Sequence, residues 1–289
     1  METNELLKKV RHIEIKARGL SRNIFAGEYH SAFKGRGMAF SEVREYQYGD
    51  DLRDIDWNVT ARYNKPFIKI FEEERELTVM LLIDVSESLT FGSSVMIKRD
   101  MLAEIAATLA FSAIQNNDKI GVVFFSDKIE KFIPPKKGKK HILFIIREIL
   151  GFTPENNGTD ISLALRYLTN AIKKRCTAFL LSDFINPDEY KRALQIANRK
   201  HDIVALQVYD KLSTELPSVG LMKVLDPELG KELWIDTSSR KVRDTYRTWW
   251  NKRQTNMTNV FKQSQVDSVS VSTEDDYVRS LLQLFRQRK

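Results

Sequence analysis

The residues of this chain best equipped for chemistry sit where apolar runs stop. In "LLIDVSES" an apolar run ends on Asp84, and Ser86 and Ser88 follow at alternate positions. One carboxylate and two hydroxyls are all hard oxygen donors, and that set suits a hard divalent cation. Two more segments offer the same kind of donor. "NNGTDISLAL" places Thr159 and Asp160 after a glycine and before a helical pattern, and "FLLSDF" ends another apolar run on Ser182 and Asp183. If the three loops share one edge of a sheet, Asp84, Ser86, Ser88, Thr159 and Asp183 can surround one ion. Mg²⁺ tolerates few protein ligands and keeps its waters, while Mn²⁺ and Ca²⁺ accept the same oxygens. Hydroxyls neutralise little charge, so such an ion keeps a position for a carboxylate from outside. Singly, each residue has a plainer role: Thr159 or Asp160 as a helix N-cap, Asp183 as a turn residue.

The elements that must carry these loops are legible as pattern. From Leu77 onward, "LTVMLLIDV", "KIGVVFFS", "TAFLLSDF" and "DIVALQVYD" are near-continuous apolar runs separated by amphipathic segments at 96–116, 138–150, 160–174 and 187–199. Strands that are apolar on both faces and alternate with helices predict a doubly wound, mostly parallel α/β sheet. Ligands of such sheets collect at the carboxyl ends of the strands, where Asp84 and Asp183 fall. Residues 211–236 break the alternation with "VGLMKVLD", "PELG" and "KELWIDT", which predicts an inserted β-hairpin. A helix over 237–263 carries Trp249 and Trp250, read as packing residues. Upstream, 4–18 has helical spacing and 20–76 is rich in Gly, Arg, Asp and aromatics, with "FIKIFEEERE" as its clearest strand. The division expected is 1–76, a helix and a β-rich segment, and 77–289, the α/β domain.

Taken in order, the Asp-x-Ser-x-Ser, Gly-Thr-Asp and Ser-Asp-Phe elements resemble the metal-ion-dependent adhesion site (MIDAS) of von Willebrand factor A domains. The preceding stretch, "GRGMAFSEVREYQYGDDLRDIDWNVTARYNKPFIKIFEEERE", is similar to a bacterial domain-of-unknown-function family, number fifty-eight, whose members accompany MoxR-type AAA+ ATPases. The resemblance is strongest over about 35–185. It implies a von Willebrand A fold with an N-terminal β-rich elaboration, Mg²⁺ held by Asp84, Ser86, Ser88, Thr159 and Asp183, and a non-enzymatic adaptor role beside the ATPase or a client that offers an acidic side chain.

The upstream signature clusters Asp50, Asp51, Asp54 and Asp56 near Arg44, Arg53 and Arg62. An EF-hand is excluded: counted from Asp54, position six is Val59 and position twelve is Lys65, where Gly and Glu are required. Two readings stand, an ion-paired structural cluster anchored by Trp57, or a partner-binding surface of Arg44, Asp51, Arg53, Asp56, Trp57 and Arg62.

Composition bounds the rest. The chain has 289 residues, 42% hydrophobic and 29% charged, an ordinary globular mixture. No apolar run approaches membrane-spanning length and the start is charged, so a cytoplasmic protein is expected. The lone Cys176 lies in an apolar run and reads as a small buried hydrophobe. The net charge of +7 raises nucleic acid as an alternative. Residues 1–78 are balanced, with 14 Lys+Arg against 14 Asp+Glu, so the excess lies in 79–289, conspicuously in "PPKKGKKH". A solvated turn explains that run, and nucleic acid is not expected. The other alternative is a Mg²⁺-dependent phosphoester hydrolase. It lacks the second aspartate of an Asp-x-Asp phosphatase, since Ser86 stands there, and the four histidines show no metal-ligand spacing.

Overall fold

Thr78–Asp84 is a strand in which every side chain from Val79 onward is buried. Alternate residues face opposite ways. Val79, Leu81 and Ile83 join one hydrophobic cluster, while Met80 and Leu82 join another. A strand buried on both faces needs helices on both faces, and the architecture supplies them. The structure is a computed structural model describing residues 3–21, 39–72, 77–86, 97–154, 158–184, 187–226 and 231–288.

In chain order the elements are α1 (Thr3–Leu20), β1 (Ala39–Glu45), α2 (Trp57–Tyr63), β2 (Phe67–Glu72), β3 (Thr78–Asp84), α3 (Lys98–Gln115), β4 (Lys119–Phe125), β5 (Ile129–Lys136), α4 (Lys139–Gly151), α5 (Ile161–Ala171), β6 (Thr177–Ser182), α6 (Pro187–Lys200), β7 (Asp202–Tyr209), β8 (Leu221–Asp226), β9 (Lys231–Asp236), α7 (Arg240–Gln263), β10 (Asp267–Ser272) and α8 (Tyr277–Gln287). Six strands form the central sheet in the order β10-β7-β6-β3-β4-β5. All its pairings are parallel except β4 with β5. This is the mostly parallel α/β sheet that the alternation predicts. One cluster gathers apolar residues of α1, α3, α4 and α8 on one face, and the other gathers those of α5, α6 and α7.

The edge strand β5 is shaped by two local features. Its pairing with β4 shifts between Ile120 and Val122, opposite Pro134 and Pro135. Prolines cannot donate to a ladder and belong at an edge or bulge. The strands approach so closely there that a Cβ on Gly121 would lie 2.8 Å from the Ile133 carbonyl and 2.9 Å from the Pro135 nitrogen. Only glycine fits.

The chain separates into two compact units, 34–76 and the remainder. The sequence reading groups the first helix with the segment ending at 76, whereas α1 packs against α3 and α4 of the α/β unit. Within the smaller unit β1 and β2 pair antiparallel and Ile55 bridges to Ile68. β8 and β9 form the antiparallel hairpin expected within 211–236.

Candidate functional site

β3 and β6 run parallel, so their carboxyl ends lie side by side. Asp84 is the last residue of β3 and Asp183 the first after β6, and both are buried. Every oxygen of Asp84 is engaged: Oδ1 accepts from the Ser86 backbone N–H at 2.9 Å, and Oδ2 accepts from the Ser182 hydroxyl at 2.6 Å. The first contact is an Asx-type turn that folds the chain back as the strand ends. Burial pushes the Asp84 carboxyl up to about 7, assisted by the charge of Asp183 and opposed by the hydrogen bonds from Ser182 and Ser86. The two carboxylates therefore feel one another across the strand ends.

Asp183 is held from three sides. The ammonium of Lys98, itself buried in the first turn of α3, lies 3.3 Å from its Oδ2. Its backbone carbonyl accepts from Arg253 at 2.8 Å and from the Gln207 amide at 3.3 Å. The next residue, Phe184, has φ 52°, a left-handed conformation that costs a bulky residue of order 1–3 kcal/mol. Packing keeps it there: its ring sits 5.1 Å from that of Phe261 and 5.8 Å from that of Tyr190, and its N–H donates to Ser182 Oγ.

The third loop reaches the same edge. The Asp160 N–H donates to the carbonyl of Ser126, just past the end of β4, whose Phe125 is in register with Asp84. Asp160 itself is the N-cap of α5, accepting from the Leu163 N–H at 2.8 Å, so its carboxylate has the plainer of its two roles. Two oxygens of the candidate set are buried without a hydrogen-bond partner among the described residues: Thr159 Oγ1 and Asp183 Oδ1. An orphaned buried oxygen costs about 1–3 kcal/mol, which a cation can recover. Two carboxylates with hydroxyls fit a hard divalent cation, although no three His, Cys, Asp or Glu side chains converge among the described residues. Asp84, Ser86, Thr159 and Asp183 are thus assigned to three adjoining strand ends, and Ser88 lies outside the described residues.

Lys98, Gln207 and Arg253 escaped the sequence reading. A lysine at a helix start normally reads as solvated, and only the strand order reveals that it faces a carboxylate. The aspartates upstream have local partners. Arg44 makes a two-point ion pair with Asp50 at 2.8 Å for each bond. Asp51 accepts from the Arg53 N–H, and Asp56 caps α2 through the N–H groups of Asn58 and Val59. Trp57 is no apolar anchor: it is 70% exposed. Arg53 is exposed beside Asp51, and Arg62 ends α2.

A second pair of reactive side chains lies at the opposite end of the sheet. Cys176, just before β6, places its Sγ 3.2 Å from Nδ1 of His201, just before β7. Burial raises the thiol to about 12 and lowers the imidazole to about 4. Both groups are neutral, so the pair is no thiolate–imidazolium nucleophile.

Comparison with known proteins gives the family and the fold. The family described as "Protein of unknown function DUF58" matches residues 42–256. The uncharacterized protein Rv1480 of Mycobacterium tuberculosis is 26% identical over 289 residues, covering 99% of this chain and 90% of that protein. An aerotolerance-related membrane protein from Bacteroides fragilis, solved with multiple mutations to serines, superposes with a TM-score of 0.52 at 14% identity, over 73% of this chain and 98% of that one. A von Willebrand factor type A structure from Catenulispora acidiphila is similar at a TM-score of 0.38 and 14% identity, over 76% of this chain and 43% of that one.

Proposed function

The chain belongs to the DUF58 family, and from that premise and the arrangement at the strand ends we propose that it is a non-enzymatic adaptor whose docking depends on a divalent cation. Its von Willebrand A-like fold suggests a protein-interaction role. The finer reading, a site of Asp84, Ser86, Ser88, Thr159 and Asp183 for Mg²⁺, rests chiefly on one observation: Thr159 Oγ1 and Asp183 Oδ1 are buried without a hydrogen-bond partner among the described residues, in the same strand-end region as a second buried carboxylate.

When bound, the cation would supply an electrophilic centre for a carboxylate oxygen of the partner. The chain's own residues prepare the position. Ser182 and the Ser86 N–H hold both oxygens of Asp84, so its carboxylate is fixed before any ion arrives. Lys98 occupies one oxygen of Asp183 and leaves the other as its unbonded donor. Arg253 and Gln207 hold the backbone of the same loop. The partner in this reading is a MoxR-type AAA+ ATPase or its client, in the cytoplasm. Among the described residues no helix is long and apolar enough to cross a membrane.

The test is recovery of partners from lysate with wild type and Asp84→Ala, each in Mg²⁺ and in EDTA, alongside calorimetric Mg²⁺ titration of both proteins. An AAA+ ATPase recovered only by wild type in Mg²⁺, with Mg²⁺ heat lost in the variant, supports the reading. Recovery indifferent to both changes would sink it and move the contact elsewhere, with the 34–76 unit as the next candidate.

A further inference from the structure

The chain's excess positive charge is concentrated on one helix. α7 carries seven Lys or Arg against a single Asp, while the whole chain has a net charge of +7. The lysine-rich turn at 134–141 is therefore the lesser concentration. Several α7 cations are occupied: Arg243 donates to the carbonyls of Thr237 and Ser238, and Arg247 pairs with Glu215. Lys241 and Lys252 are exposed and have no ion pair among the described residues.

Beside these two lysines lie two hollows that combine apolar and polar side chains, Thr245 in both, and Thr248 with the ion-paired Arg240 and Asp244 in the second. A cavity of about 530 Å³ is floored by Leu216, Ile235, Val242, Tyr246 and Trp249, and Lys241 lines its wall. A second hollow along the same helix shares Lys241 and Trp249 and reaches Lys252. Trp249 is 51% exposed, in contrast to the buried Trp250 beside it in sequence, so the expectation that both pack in the core holds for one alone. It is not loose. Tyr246 lies 5.4 Å from its ring and the Arg253 guanidinium 5.8 Å, so the aromatic surface is ordered before anything binds. On β9, Leu233 shares the strand face of Ile235 and is 59% exposed. Contiguous apolar surface rimmed by charge marks an interaction site, and Trp, Tyr and Arg are the residues that anchor such sites.

We propose that this groove binds an acidic, apolar-anchored segment of another protein, with bulky side chains seated on Trp249, Tyr246 and Ile235 and Asp or Glu side chains meeting Lys241 and Lys252. Charge complementarity selects the acidic partner. Concavity selects a chain segment over a bilayer, which calls for a protruding apolar face. The apolar floor disfavours a phosphate backbone, whose charges need cations along their whole path. This surface adjoins the strand-end site through Arg253, whose guanidinium stands over Trp249 and donates to the Asp183 carbonyl, but its ligand needs no metal.

The experiment pans a random 16-residue displayed-peptide library against the full chain in EDTA. Recovered peptides are then measured by fluorescence anisotropy against wild type, Trp249→Ala and the double variant Lys241→Glu/Lys252→Glu. Peptides of net negative charge with at least two bulky apolar residues are expected, with affinity reduced tenfold or more in each variant. All three positions are surface-exposed, and unchanged thermal unfolding will show that the variants fold. Peptides without net negative charge, peptides bound equally by the charge-reversed variant, or no peptides at all would overturn the proposal. So would a preference for phosphatidylserine vesicles or a 20-nucleotide thymidine strand over any recovered peptide. Because the assay contains EDTA, its result is independent of whether the strand-end site takes a cation.

Discussion

The two ends of the central sheet bury reactive side chains to the same degree and with opposite results. At the carboxyl end, Asp84, Asp183 and Lys98 bring charge into the interior and leave two oxygens unbonded. At the amino end, burial drives Cys176 and His201 to their neutral forms, with Sγ against Nδ1, and His201 Nε2 has no hydrogen-bond partner among the described residues. Proximity of reactive groups is therefore not enough to make a site. Both ends keep a polar atom without a partner, and what distinguishes the carboxyl end is that its donors are oxygens, two of them carboxylates, held in place by neighbours such as the strained Phe184 and the Arg253 clamp on Asp183.

This contrast is open to tests, and the largest effect lies at the charged end. Asp183→Ala removes the carboxylate that Lys98 faces, and a broken buried ion pair costs about 3–5 kcal/mol. Equilibrium urea unfolding should show that loss, and the double variant Lys98→Met/Asp183→Leu should recover most of it. A double variant as unstable as the single one would mean that the pair is not a unit. Next comes thiol reactivity at the neutral end. With its thiol raised from 9 to about 12, Cys176 holds about a thousandfold less thiolate than an ordinary cysteine. Iodoacetamide labelling of the folded protein should be slower by about that factor, and rapid labelling would contradict a neutral pair.

His201 sets the acid limit. Its folded pKa, near 4, lies below the unfolded value of about 6.5, so the unfolded chain binds more protons between the two. Its contribution is complete above about pH 6.5 and is lost on acidification toward pH 4, with a total of about 3 kcal/mol. Urea midpoints at pH 7, 5 and 4 should fall accordingly, and His201→Gln should flatten the decline. The smallest effect expected is at the third loop of the carboxyl end. Asp160→Ala removes the N-cap of α5 and should cost about 1 kcal/mol by the same unfolding assay, without altering Mg²⁺ titration. A change in the titration would recruit Asp160 to the site.

The sheet was readable because its strands are apolar on both faces, a pattern that needs no tertiary information. Asp84 and Asp183 were readable for a related reason: a carboxylate that ends an apolar run must lie where the strand meets its loop. Side chains arriving from elsewhere left no such trace. Lys98 meets Asp183 across 85 positions, and Arg253 meets it across 70. Trp249 and Trp250 are neighbours in sequence, yet successive helical residues point about 100° apart, so one can be buried while the other is not. Composition located the positive charge in the right half of the chain but favoured the compact lysine run over a charge spread along 24 residues of helix.

The edge of the sheet has a consequence for how the protein lives among other chains. β5 ends the sheet with two consecutive prolines, fitted against Gly121 where no side chain would go. Prolines offer no N–H to a strand arriving from outside, so the Pro134–Pro135 stretch of β5 cannot continue the ladder. An extended segment of a neighbour, or of a half-folded copy, finds a template shortened to the residues before Pro134 on that flank. The same glycine and prolines that let β5 lie down on β4 thereby shorten the edge open to aggregation.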